Sequence, residues 1–555
     1  MNRSKQIIAA LAASALIFTA GCQSTAAAET NTDTTAAQVV ATQAVSAEAI
    51  AVQLSSETYS DRDLDASYDA SEATQVDLST LSGDYTITAA GIFVFSGTLS
   101  DGSIIVNAGE DDKVQIVLSN ATITNSDGPA IYAVEADKVF VTAADQTVNT
   151  LSDGSSYAED TFGKTPDGTI FARCDLTING TGSLTVNGNY KFGIVSKDDV
   201  VITNATLEVT AVSDGIVGKD SVSVGSGTVS IVAGGDGIVS ENSEDATVGS
   251  VLIDGGTISI KTTGSNADSA KGIKAQAALA ISGGSITIEA EDDALHSATS
   301  VTITNGTLSL ASGDDGIHSD DLVAISGGEV TISRSYEGIE GGSISVSGGV
   351  INLNATDDGF NAAGGADGSS SNGPRGNDAF ATDANKSLVI SGGTVTVNSE
   401  GDGLDSNGTM TISGGTIYVS GPTNSGNGAL DSNGTMTISD GIVVATGSAG
   451  MAQVFDQSSM QASLTYTFTS VQQAGTVITL KDASGTVVAT FTPGKQYQNV
   501  VISAPNLTSG QTYTLYSEET LVESITLSGT VTSVGSGGTS GGFDGGQRPG
   551  GGRHG

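Results

Sequence analysis

Short runs of alternating apolar and polar residues, broken by Gly-Gly or Asn-Gly, recur along the middle of the chain. Ile281–Ile288 (ISGGSITI) returns as Ile325–Ile332, Val346–Leu353, Ile390–Val397 and Ile412–Val419. Period-two alternation is what a strand with one buried side requires, and Gly-Gly marks a tight bend between two such strands. Each copy is followed by an acidic turn and one more aliphatic or aromatic residue. Aligned on that residue, the chain reads Ile194, Ile216, Ile238, Ile273, Leu295, Ile317, Ile339, Phe360, Phe380, Leu404 and Leu430, with Ile131 and Ile170 as less regular early members. The commonest step is 22 residues, and one step of 35 holds the insert Glu241 to Val248.

Three short strands and Gly-rich bends in a 22-residue period predict the coil of a parallel β-helix, an all-β solenoid expected to be right-handed. Propeller blades need about 40–50 residues, and helical repeats are rich in Leu, Ala, Glu and Lys, where this chain uses Thr, Val, Ile, Ser and Gly. No coil buries a core alone, so the coils must stack and both ends must be closed. Residues 131–450 are expected to form the β-helix, with residues 56–130 supplying an N-terminal β cap and the first coils. Residues 451–534, with strands at Leu464–Phe468, Val477–Leu480, Val487–Phe491, Val500–Ser503 and Tyr513–Tyr516, are expected to form a small antiparallel C-terminal unit. Residues 535–555 are a Gly-rich tail.

The N-terminus reads as an export address. Arg3 and Lys5 precede the apolar run Ile7 to Phe18 and then Thr19-Ala20-Gly21-Cys22, a run too short to span a bilayer. Residues 1–22 resemble a lipoprotein signal peptide, which would make Cys22 the lipidated first residue of the mature chain and anchor it to the outer face of the bacterial membrane. Residues 23–55, rich in Ala and Thr, read as a tether. Cys174 is expected to be a small buried apolar residue.

Charge changes the picture. Across 555 residues there are 62 acids and 20 bases, a net charge of -42. Disorder, the usual inference, conflicts with 38% hydrophobic residues recurring at a regular period. No basic stripe suits a phosphate backbone, so nucleic acid is not an expected partner. Many of the acids fall into register. Asp214, Asp236, Asp293, Asp315, Glu337, Asp358, Asp378 and Asp402 stand two residues before the aligned position, and Asp292, Asp314 and Asp357 one earlier. One residue after it come His296, His318, Glu340, Asn361, Asp405 and Asp431. Stacked coils bring equivalent residues to about 4.8 Å, where like charges repel and their pKa values rise unless neutralised. Turn chemistry, with Asp capping its own backbone and Gly at positive φ, is the simpler account of Asp214 and Asp236. For Asp292, Asp293, Asp314, Asp315, Glu337, Glu340, Asp357, Asp358, Asp378, Asp402 and Asp405 the expectation is calcium, which accepts six to eight oxygens in irregular geometry. His296 and His318 are expected to stack on the outer face, and with Arg334 and Tyr336, which offer a guanidinium and an aromatic ring to a sugar acid, they are the candidate substrate-binding residues.

Ser335–Gly341 (SYEGIEG), residues 357–365 (DDGFNAAGG), 401–407 (GDGLDSN) and 426–431 (GNGALD) resemble the bacterial family of secreted, calcium-bearing β-helix proteins that bind polygalacturonate and are similar in structure to pectate lyases. The resemblance implies calcium as cofactor and an acidic polysaccharide of the polygalacturonate or pectin type as partner, bound without catalysis. Two alternatives remain open: a calcium-dependent polysaccharide lyase, with Lys271, Lys274 or Arg334 as base, and a structural adhesin rod stabilised by calcium.

Overall fold

The computed structural model describes residues 59–245, 247–265, 269–364 and 382–535. It is almost entirely β, a solenoid of parallel strands with an antiparallel unit at its C-terminal end. A representative coil has a short strand (Ile216–Gly218), a second (Ser221–Val224) and a longer third (Gly227–Ala233). Each pairs in parallel with its equivalent one coil on: Ile238–Ser240, Ser250–Ile253 and Thr257–Thr262. Three strand faces therefore surround one continuous core.

The aligned column is one rung of that core. Ile194, Ile216, Ile238, Ile273, Leu295, Ile317, Ile339, Phe360 and Leu404 are successive register partners, Leu404 bridges to Leu430, and all are buried. Phe360 pairs directly with Leu404, so these two are neighbouring rungs; Phe380 and Asp378 lie outside the described residues. The spacing was misleading there because the segment between Gly364 and Ser387 is an insertion within one coil: Val346 pairs directly with Ile390.

The solenoid also begins earlier than the Gly-Gly pattern suggests. Thr74–Asp77 pairs with Gly91–Leu99, and Tyr85, Ile104, Ile131 and Ile170 continue the aligned rung backwards. Some early bends are turned by residues other than Gly-Gly: Asn120 and Asn204 hold φ of 54° and 50°. Asn tolerates that left-handed region better than most residues, so the bends persist without the glycine signature. Leu78 of a short 3-10 turn (Leu78–Thr80) and the edge-on rings Tyr85 and Phe95, 5.4 Å apart, fill the N-terminal end of the core.

At the other end, Tyr497–Ser503 runs antiparallel to both Val443–Gly447 of the last coil and Ser463–Gln472. This pairing covers the third face's open edge. A four-stranded antiparallel sheet, containing Ile478–Lys481, Val487–Phe491, Thr512–Ser517 and Thr520–Thr526, packs over it through Leu464, Ile478, Leu480, Val500, Tyr513 and Leu515. The expected C-terminal strands are present. Thr520–Thr526 and Val531–Gly535 are additional.

Candidate functional site: two columns of buried carboxylates

The acidic turns connect the third face of one coil to the short strand of the next. Asp292 Oδ1 accepts from the adjacent Asp293 N–H at 2.9 Å, but five other Asp carboxylates cap the neighbouring coil rather than their own backbone. The N–H groups of Asp236, Lys271, Asp315, Glu337 and Asp402 donate to Oδ1 of Asp214, Asp236, Asp293, Asp315 and Asp358, at 2.8, 2.7, 3.0, 3.3 and 2.6 Å. One oxygen per turn is thus spent on holding the coils in register, which accounts for Asp214 and Asp236. The turn glycines do not take positive φ either; a Cβ on Gly359 would stand 2.5 Å from the carbonyl oxygen of Gly403 in the next coil, so close approach excludes larger residues.

The second oxygen faces the outward residue three positions on, and there the columns divide. In the coils from Lys271 to His318 it meets a base. Lys271 itself occupies the acid position of its coil, with Nζ 2.6 Å from Asp293 Oδ2 and 3.2 Å from Asp292 Oδ1. His296 Nδ1 lies 3.0 Å from Asp293 Oδ2, and His318 Nδ1 2.9 Å from Asp315 Oδ2. Lys274 Nζ is 3.4 Å from Asp236. Burial opposes ionisation of Asp293, but His296 and Lys271 outweigh it and hold the carboxyl below its usual range. Burial likewise disfavours charge on His318, yet the Asp315 hydrogen bond and the charges of Asp293 and Glu340 lift it to about 9.

From Glu337 onward the outward residue is Glu340, Asn361, Asp405 and Asp431. Burial and the neighbouring Glu340, Asp315 and Asp358 push Glu337 far above the carboxylate range, and burial with Asp315 raises Glu340. Burial, Asp402 and Asp405 raise Asp358 in the same way. Asp405 rises to about 8 through burial, Asp402 and Asp431. Among the described residues, no Lys, Arg or His forms an ion pair with Asp358, Asp405 or Asp431. Asn361 Nδ2 donates to Glu337 Oε2 at 2.8 Å, whereas Asn361 Oδ1 and Glu340 Oε2 are buried without a hydrogen-bond partner. Two groups offer oxygens within 4.8 Å of one another here, Asp402/Asp405/Asp431 and, with one imidazole, Asp315/His318/Glu340.

Of the remaining candidates, Asp314 lies with Asp292 and Asp293, and burial with Asp315 lifts it to about 7. Asp357 is half-buried and accepts a hydrogen bond from the Tyr336 phenol, which raises the phenol's pKa. Arg334 is exposed at the end of its strand, Glu329–Arg334. The His296 and His318 rings adjoin, with centroids 4.9 Å apart and planes tilted by 39°, but both are buried rather than on the outer face, and His318, only 1% exposed, serves as a counter-charge inside the column. Cys174 is buried, as its surroundings in the sequence suggested. A further group, Asp175/Asp198/Asp199, lies where short strands turn into the second face. It escaped the sequence analysis because its acids follow the aligned position instead of preceding it.

The profile of the carbohydrate-binding domain-containing protein family matches residues 82–267, 261–316 and 314–492. The chain belongs to that family. A carbohydrate-binding domain-containing protein of Acetivibrio thermocellus is 40% identical over 126 residues, 22% of this chain and 44% of the relative, so the match spans less than half of that protein. The solved structure of a polysaccharide lyase-like protein from C. thermocellum, a gadolinium derivative, is 32% identical over 46% of this chain and 96% of its own, with a TM-score of 0.38. The family's description names a carbohydrate-binding domain. No helix among the described residues is long and apolar enough to cross a membrane.

Proposed function

We propose that the protein is a calcium-dependent, non-catalytic binding protein for acidic polysaccharide of the polygalacturonate or pectin type. It is exported and held at the outer face of the bacterial membrane by lipid on Cys22. The observation that carries this reading is the acid-rich half of the columns. Glu337, Asp358, Asp405 and Asp431 crowd together in buried or half-buried positions with no Lys, Arg or His ion-paired to them among the described residues, and the buried oxygens Glu340 Oε2, 3.4 Å from His318 Nδ1, and Asn361 Oδ1 lack hydrogen-bond partners. Carboxylate and amide oxygens in irregular arrangement are what calcium accepts, and the set contains no thiolate to favour a softer metal. An ion there would relieve the repulsion within the protein and supply positive charge for the ligand's carboxylates. Without it, a chain of net charge -42 would repel an acidic polymer.

Binding is favoured over lyase chemistry by the state of two of the candidate bases. Lys271 is buried between Asp292 and Asp293, and Lys274 is paired with Asp236, so neither ammonium is placed to lose and regain a proton at a substrate. Affinity electrophoresis in polygalacturonate, with calcium or chelator, tests the proposal alongside absorbance of unsaturated uronate. Retardation in calcium alone, without product, is expected. Unsaturated product would replace it with the lyase reading, and failure to bind in calcium would leave the rod.

A further inference from the structure

Basic residues are scarce in this chain, yet three of its 20 stand in one register column. Three residues beyond the aligned rung, where the short strand turns toward the second face, successive coils carry Arg173, Lys197 and Lys219. Their backbones are equivalently placed: the N–H groups donate to the carbonyls of Ala133, Ala172 and Ser196, each two residues past the rung in the preceding coil. Arg173 is exposed, and the Lys197 and Lys219 side chains are 34% and 37% exposed. Coil stacking sets their spacing near 4.8 Å, at which like charges repel, and the repulsion is eased by the acids Asp175, Asp198 and Asp199 at the same turn.

Lys197 and Lys219 pair loosely with acids, and Lys197 Nζ also lies 5.6 Å from the Phe171 ring centroid. Lys197 Nζ is 3.9 Å from Asp167, and Lys219 Nζ is 3.5 Å from Glu244, a residue whose side chain is 83% exposed. Such solvated pairs are worth about 0–1 kcal/mol and are readily exchanged for another carboxylate. Beside them, Tyr190 stacks on Tyr157 with centroids 4.4 Å apart, and Lys191 Nζ sits 5.4 Å from the Tyr190 ring.

We propose that Arg173, Lys197 and Lys219 form a direct cationic subsite for a polyuronate chain lying along the solenoid axis, with Lys191 and Tyr190 at its border. A single small anion needs one or two donors. A row of cations repeating with the coils suits a polymer whose carboxylates repeat along its length. The subsite rests on the function proposed above and adds a second grip to it. Lys219 and Glu340 border the same face, and the coils of Ile216 and Ile339 are five steps apart, about 24 Å along the axis. One polymer can therefore engage both places, and its second contact becomes intramolecular.

The test uses the full chain in saturating calcium, titrated calorimetrically with polygalacturonate and with an oligogalacturonate of about four residues, too short to reach both places. Arg173→Gln/Lys197→Gln/Lys219→Gln should bind the polymer about tenfold more weakly, with a shallower salt dependence and unchanged calcium stoichiometry. Lys197→Arg/Lys219→Arg should bind like the wild type, as should Lys113→Gln/Lys261→Gln/Lys481→Gln, which removes equal charge elsewhere. For the short oligomer, the advantage of spanning both places should vanish. Wild-type affinity in the Gln triple variant, with calcium-dependent binding intact, overturns the subsite alone. Equal weakening in the two Gln variants reduces it to general electrostatics and also overturns it. Failure of the wild type to bind polygalacturonate in calcium overturns both proposals.

Discussion

Asp293 and Glu337 occupy equivalent positions two coils apart, and their ionisation is driven in opposite directions. Asp293 has Lys271 and His296 against it, while Glu337 has Glu340, Asp315 and Asp358. Burial raises both; the neighbours decide the outcome. The acids themselves were legible in the sequence, because the 22-residue register aligns them. The division between a half that carries bases and an acid-rich half was not. It depends on Lys271 standing in the acid column, and its coil follows the irregular 35-residue step. Asp405, raised to about 8, gives the residue-scale prediction. A raised carboxyl binds its proton more tightly in the folded state, so metal-free stability falls as pH climbs from the unfolded value toward 8. Asp405→Asn should therefore stabilise the chelator-treated protein by about 2 kcal/mol at pH 7, while reducing the gain in melting temperature on adding calcium. A matched loss in chelator and in calcium would point to a packing role alone.

Each coil is held by three kinds of contact: aliphatic rungs inside, backbone pairing between faces, and carboxylate caps on the turn amides. The rungs and bends were readable because period-two alternation and Gly-Gly are local signals. The caps of Asp214 and Asp236 were misassigned to their own turns, since the donors, one coil away, are 22 and 35 residues distant in the sequence. The bends also distinguish two uses of glycine. Gly349 has φ of 85°, and a Cβ there would lie 2.9 Å from the carbonyl oxygens of Gly327 and Gly328. Gly349→Ala should cost about 1–3 kcal/mol in denaturant unfolding, with the secondary structure retained by circular dichroism. A change within 0.5 kcal/mol would mean that the bend relaxes without strain.

At the scale of the molecule, contacts far apart in sequence tie the solenoid down. The short helix Asp61–Leu64 lies across the second face, where buried Asp63 meets Lys138 Nζ at 2.7 Å and accepts from Thr177. Burial works against the Asp63 charge, but Lys138 with Thr177 and Ser60 holds its carboxyl below the ordinary value. That contribution is full above the unfolded carboxylate pKa, about 3.9, and is lost as pH falls through the lower folded one. Asp63→Asn should reduce stability near neutrality and flatten its fall in acid, as read from melting temperature against pH; an unchanged acid limb would show that other carboxylates carry it. By itself the sequence determined the β-helix, its rungs and the registered acids, because these follow from periodicity and local turn chemistry. Only the tertiary structure decided where the solenoid begins, that Phe360 and Leu404 are neighbouring rungs, how the helix Asp61–Leu64 and the C-terminal strands close the surface, and which acids have a cation beside them. Those outcomes depend on residues meeting across coils, and their distances in space bear no fixed relation to their separation along the chain.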